Sequence, residues 1–207
     1  MGTRVGIADY GIGNLQSVAN AVHAVGGEPE LVIDPDKLAT FDRLILPGVG
    51  AFGDAITRLR ETGMGQALDE LVAQGRPVLG LCLGMQLMCR QSEEGGDWQG
   101  LGWFDAMVRR FPESLGVKVP HIGWNNLAFP RSHWLLQEVP TSPDVYFVHS
   151  YRVECADQAD VLAWCDYGEP FAAIIARDNV VGIQFHPEKS QRAGLAMIRN
   201  FLEQAPC

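Results

Sequence analysis

The segment Val78-Leu79-Gly80-Leu81-Cys82-Leu83-Gly84-Met85-Gln86 restricts the folds open to this chain more than any other. A strongly apolar strand pattern over residues 77–81 stops at Cys82, and a helical pattern follows at once. So tight a strand-to-helix turn needs small residues beside its apex, and Gly80 and Gly84 supply them. The form Gly-x-Cys-x-Gly is the thiol version of a nucleophile elbow. Cys82 would sit at the apex, where the start of the next helix favours a thiolate. The backbone N–H of Leu83 faces the same space and could hold an oxyanion. The same residues also suit an inert cysteine buried in a Gly-rich turn.

The rest of the first half alternates in the same way. Strands are expected over 4–9, 30–33 and 43–46, with helices over 14–25, 51–61 and 64–74. In the first helix Leu15, Val18, Ala19, Val22 and Val25 recur on one side, and Gly26-Gly27 ends it. Strands alternating with helices imply a parallel sheet covered on both faces. From 103 to 176 the pattern breaks into short strands, of which 146–148, 152–155 and 172–176 are the clearest. A further strand is expected over 180–185 and a closing helix over 193–203. The expected fold is one α/β domain spanning 1–207, with a mixed, mostly parallel sheet.

Composition excludes several functions. The net charge of −9 argues against a large phosphate-backbone footprint, so no nucleic-acid partner is expected. No apolar run approaches bilayer length, and the start of the chain lacks the pattern of a signal peptide, so the expected location is the cytoplasm and no membrane partner is implied. The five cysteines, Cys82, Cys89, Cys155, Cys165 and Cys207, include no CxxC pair. Neither a zinc site nor a disulfide framework follows, and most should be buried thiols. Walker A and HExxH motifs are absent. Gly11-Ile12-Gly13 is no dinucleotide fingerprint, because Gln16 stands where the third glycine belongs. It reads as a tight turn with Asp9 and Asn14 as possible polar contacts. No metal or cofactor is expected.

Two other segments carry chemistry. In Gly182-Ile183-Gln184-Phe185-His186-Pro187-Glu188, Pro187 pushes His186 into extended geometry, and residues two apart on an extended chain face the same side. Glu188 is therefore placed to orient the His186 imidazole, the third member that a Cys–His pair needs. The alternative is an exposed His-Pro-Glu turn. The order nucleophile, histidine, acid differs from that of the α/β-hydrolases. Pro47-Gly48-Val49-Gly50 closes a strand and could bring a second oxyanion donor, or serve as a plain turn.

Gly-Leu-Cys-Leu-Gly-Met-Gln followed by Phe-His-Pro-Glu resembles the class I (triad-type) glutamine amidotransferases, a flavodoxin-like α/β fold. Asp9–Asn14, Pro47–Gly50, Pro120–Asn125, Tyr146–Tyr151 and His186–Ser190 narrow the resemblance to the glutaminase subunits of imidazole glycerol phosphate synthases, over about residues 4 to 203. Ile122 departs from the methionine common there. The resemblance implies that Cys82 attacks the glutamine side-chain amide to form a thioester, with His186 as base and then acid and Glu188 orienting it. It implies oxyanion donors at Leu83 and around Val49 and Gly50, where the Val49 peptide must rotate. Gln86, Glu94, His149, Ser150 and Tyr151, with Gly50, match positions that hold glutamine. Trp124, Asn125, Tyr146 and Lys189 match interface or gate positions, although core packing would also account for the aromatic pair. The implied partner is a (β/α)₈-barrel cyclase in a heterodimer. It would use the ammonia to make imidazole glycerol phosphate and an aminoimidazole-carboxamide ribonucleotide in histidine biosynthesis.

Overall fold

The computed structural model describes residues 2–205. Strands β1 (Arg4–Ala8), β2 (Glu28–Val32), β3 (Arg43–Gly48) and β4 (Val78–Cys82) alternate with helices α1 (Leu15–Ala24), α2 (Phe52–Glu61) and α3 (Met64–Ala73). The short α4 (Leu83–Leu87) follows β4 without a gap. Then come β5 (Cys89–Ser92), β6 (Trp98–Gln99), β7 (Phe104–Arg110), β8 (His121–Asn126), β9 (Asp144–His149), β10 (Tyr151–Cys155), β11 (Val161–Asp166), β12 (Pro170–Arg177) and β13 (Val180–Ile183), before α5 (Gln191–Gln204) closes the chain.

Among the described residues the main sheet has 11 strands in the order β2-β1-β3-β4-β13-β12-β10-β7-β5-β6, with β11 beside β12. The first five run parallel. β12 turns back against β13, and β10 pairs antiparallel with both β12 and β7. β8 and β9 form a separate antiparallel ribbon.

Alternate residues of each parallel strand face opposite sides. Val5, Ile7, Ile45, Leu79 and Leu81 pack with Val18 and Val22 of α1 and Met197, Ile198 and Phe201 of α5. Ala8, Leu44, Leu46 and Val78 pack with Ile56 and Leu59 of α2 and Leu68 and Leu71 of α3. Both faces are covered, as the alternating pattern requires.

Three details differ from the expectation. β3 runs on to Gly48, because Pro47 and Gly48 stay in register with Leu81 and Cys82 of β4. α4 is only Leu83–Leu87, so beside Cys82 it supplies a few oriented N–H groups rather than a long dipole. And β5 and β6 are additional, while β7, β8 and β11 are short strands within 103–176 that the pattern does not locate.

Candidate active site

Cys82 ends β4 with φ 54° and ψ −110°, a left-handed value that is costly for a residue with a Cβ. Packing on both sides maintains it. A Cβ on Gly84 would lie 1.9 Å from the Leu46 carbonyl oxygen, so α4 reaches β3 backbone to backbone. Tyr10, buried beneath, donates its hydroxyl to the Pro47 carbonyl at 2.7 Å. Burial, and next the charge of Cys82, push that phenol well above its ordinary range. Asp9 is not turned to this site; its Oδ1 accepts the Gly11 N–H at 3.0 Å and shapes the following turn. Asn14 precedes α1 and makes no side-chain cap.

β13 lies next to β4, with Ile183 in register with Leu81, so the chain beyond Ile183 emerges beside Cys82. His186 is extended, as Pro187 demands, and its Nδ1 lies 2.9 Å from Glu188 Oε1. A carboxylate only accepts, so Nδ1 carries the hydrogen and Nε2 is left for Cys82. Glu188 Oε2 is buried without a hydrogen-bond partner among the described residues. Burial lowers the His186 pKa, but hydrogen bonds to Cys82 and Glu188 and their charges outweigh it and push the imidazole up to about 9. Ser190 holds the histidine in place. Its Oγ donates to the His186 carbonyl at 2.6 Å and accepts the Tyr146 N–H at 3.0 Å, while the His186 N–H donates to the Tyr146 carbonyl at 3.0 Å.

Cys82 and His186 open on a cavity of about 270 Å³, and Glu188 lies behind them in an adjoining crevice that also touches Asn14. Leu83, Val49 and Gly50 line the mouth. The Leu83 N–H, first of α4, has no intrahelical acceptor by position. Val49 is 41% exposed, and Gly50 takes a left-handed φ of 93°. Gln86, Glu94, His149, Ser150 and Tyr151 complete the wall. Glu94 Oε2 accepts the Phe52 N–H at 2.9 Å. Burial raises the Glu94 pKa more than that bond lowers it, and Asp54 adds to the rise. Gln86 Nε2 donates to the Tyr151 carbonyl at 3.3 Å and to Gln184 Oε1 at 3.0 Å. With both amide hydrogens used, Gln86 has only acceptor capacity left for a ligand.

Trp124, Asn125, Tyr146 and Lys189 lie outside this lining. Trp124 and Tyr146 are cross-strand partners on the ribbon, ring centroids 5.7 Å apart. Trp124 is 48% exposed, so core packing does not account for it. Asn125 points the other way and donates Nδ2 to the Asp166 carbonyl at 2.8 Å. Lys189 is exposed at the turn after Glu188.

Sequence reasoning passed over three residues. Gln184, wholly buried, places Nε2 3.9 Å from Cys82 Sγ. It stands two residues before His186, and the spacing used for Glu188 would have found it. His121 gave no such signal, because its contact with His149 runs to a different strand, and Ser190, four residues after His186, lies off the two-residue spacing. The Cys89, Cys155 and Cys165 thiols are buried, and burial pushes Cys155 and Cys165 up to about 12 and Cys89 well above its ordinary value. They behave as the small hydrophobes expected; Cys207 lies outside the described residues. No group of three or more His, Cys, Asp or Glu side chains suited to a metal ion occurs among the described residues.

The family model "Glutamine amidotransferase class-I" matches residues 7–205. The imidazole glycerol phosphate synthase subunit HisH of Symbiobacterium thermophilum is 48% identical over 198 residues, covering 96% of this chain and 92% of that protein. The protein of the same name from Aquifex aeolicus is 48% identical over 204 residues, covering 98% of this chain and 97% of that one. Among solved structures, PurLQS from Thermotoga maritima superposes with a TM-score of 0.78 over 98% of both chains at 18% identity, a likeness of fold alone.

Proposed function

The chain belongs to the class I glutamine amidotransferases, and from that membership we propose that it is the glutaminase subunit of an imidazole glycerol phosphate synthase, with Cys82 as nucleophile and a (β/α)₈-barrel cyclase as the recipient of its ammonia. It hydrolyses glutamine to glutamate and ammonia in histidine biosynthesis, as one subunit of a larger synthase. The observation that carries the residue roles is the convergence of Cys82, His186 and Glu188 from neighbouring strand ends on one cavity.

Cys82 gives its thiol proton to His186 Nε2 and its Sγ attacks the side-chain carbonyl carbon of glutamine, so that the carbonyl oxygen takes up negative charge. The Leu83 N–H meets that charge on one side. The Val49–Gly50 peptide meets it on the other once it has rotated. His186 Nε2 delivers a proton to the nitrogen, the C–N bond breaks, and ammonia leaves a glutamyl thioester. Water, activated by the same imidazole, adds to the thioester carbonyl and releases glutamate and the thiol. Glu188 holds the imidazole in the required tautomer throughout. Glu94 supplies a carboxylate, and Gln86 an acceptor, for the α-ammonium of glutamine. The Ser150–Tyr151 backbone closes the far wall.

Exposed apolar residues support the partner. Ile122, Trp124 and Val148 are 57%, 48% and 37% exposed on the ribbon, and Val49 at the mouth is 41% exposed. Such a patch beside an active site suits a protein interface, and Lys189 and Tyr146 border it. Among the described residues no helix is long and apolar enough to cross a membrane.

The test of the nucleophile is covalent. A diazoketone analogue of glutamine, added to the chain with its cyclase, should label the peptide containing Cys82 and be slowed by excess glutamine. Labelling elsewhere, or undiminished turnover in Cys82→Ala, would remove Cys82 from the mechanism.

A further inference from the structure

Gln184 is a wholly buried carboxamide that neither the triad nor glutamine binding employs. Burying such a group is costly unless its donors and acceptor are satisfied. Its Oε1 accepts from Gln86 Nε2 at 3.0 Å, and its Nε2 faces Cys82 Sγ at 3.9 Å.

The neighbours dictate this orientation. The Tyr151 carbonyl can only accept, so the Gln86 group facing it must be the amino group. That amino group also faces Gln184, which therefore turns its carbonyl oxygen toward Gln86. The Gln184 amino group is left toward the sulfur. Flipping Gln184 would set two amino groups against each other and a carbonyl oxygen against the thiol. Two further residues fix the Tyr151 carbonyl. His149 Nδ1 donates to it at 2.8 Å, and His149 Nε2 receives a hydrogen from His121 Nδ1 at 3.0 Å. The sulfur therefore has donors from two directions, the imidazole of His186 and the carboxamide of Gln184.

We propose that Gln184 is a positioning residue for the nucleophile: its N–H donates to Cys82 Sγ, holds the side chain at the elbow and stabilises negative charge on the sulfur before attack and when the thioester breaks. This rests on the reading of Cys82 as the nucleophile. A donor that acts on the sulfur changes the chemical step. Gln184 does not line the cavity, but its Oε1 accepts from Gln86, which does, so the donor and the acceptor ends of this carboxamide must be tested apart.

The experiment uses the complex with the cyclase, comparing wild type, Gln184→Met and Gln184→Glu. Methionine keeps the length and loses both the donor and the Oε1 acceptor for Gln86, whereas glutamate keeps the acceptor. We expect kcat for glutamine hydrolysis to fall about 10- to 100-fold in Gln184→Met, as for loss of a hydrogen bond to a charged group. Gln184→Glu should be as impaired near pH 8. Its activity relative to wild type should rise as the pH falls towards about 6, because a buried carboxyl regains an O–H donor on protonation. Wild-type kcat in Gln184→Met, or a pH-independent ratio for Gln184→Glu, would overturn the proposal. Should either variant fail to fold, the Gln184 side-chain amide proton resonances can be compared between wild type and Cys82→Ala. A change is expected, and no change would overturn the proposal. Failure of wild type to hydrolyse glutamine, or activity in Cys82→Ala, would instead refute the underlying reading.

Discussion

His121 and His149 lie edge to face in the interior, His121 stacked on Tyr167 at 3.9 Å and on Phe147 at 4.8 Å between ring centroids. Burial lowers the pKa of His121 to about 4. It lowers that of His149 to about 3, with the Tyr151 bond opposing and the His121 and His186 charges reinforcing the fall. Both imidazoles stay neutral near pH 7 and share one hydrogen. In the unfolded chain they protonate at about 6.5. Below that pH the unfolded state binds more protons, so stability falls as the pH drops from about 6.5 towards about 4. His186 has the opposite sign. Its raised value stabilises the fold fully below about 6.5, and the contribution is lost as the pH rises through about 9. Denaturant unfolding across pH should therefore show an acid decline that flattens in His121→Phe, a ring that preserves the stacking and removes a titrating group. An unchanged acid slope in that variant would contradict the assignment.

Among the elements, the elbow depends on how closely α4 approaches β3. The 1.9 Å from a Gly84 Cβ to the Leu46 carbonyl oxygen is a clash with backbone, which no side-chain rotation relieves. Gly84→Ala should destabilise the protein by about 1–3 kcal/mol or more and displace Cys82. Calorimetry would show a lower Tm, and glutamine turnover would fall further than the stability loss explains. A variant with wild-type Tm and activity would mean that the turn is looser than it looks. The parallel half was legible because its central strands β3 and β4 are buried on both faces and β4 reads as an unbroken apolar run, Val78–Cys82, with Gly26-Gly27 marking a helix stop. The antiparallel half was not. β7 does alternate, with Phe104, Ala106 and Val108 buried, but exposed Arg109 and Arg110 end it and blur the signal. β8 and β9 leave Ile122, Trp124 and Val148 in the open, which no hydrophobicity rule assigns to a strand face. The proposed catalytic set lies together in the structure, and its local spacing around Cys82 and His186 is what singles it out in the sequence. The ties that spacing does not encode are those between strands, from Tyr146 to Ser190 and from His121 to His149.

Across the whole molecule, the two halves divide the work. Parallel strands β4 and β13 bring Cys82 and His186 side by side, and the ribbon lines the cavity and carries the exposed apolar surface. The two are stitched together where Tyr146 meets His186 and Ser190 through backbone bonds. Ile122 and Trp124 lie on β8, which pairs with β9, the strand whose Tyr146 bonds to His186, so the proposed interface is one strand away from the proposed catalytic histidine. This fits a subunit whose site is assembled in the chain and brought into use by its synthase. The most direct test measures glutamate released from glutamine by the purified chain alone, by the chain with the proposed barrel cyclase and that subunit's nucleotide ligand, and by the same complex carrying Cys82→Ala. The account predicts slight turnover alone, strong turnover in the liganded complex and none with Cys82→Ala. Full activity without the partner, or turnover that survives the loss of Cys82, would contradict it.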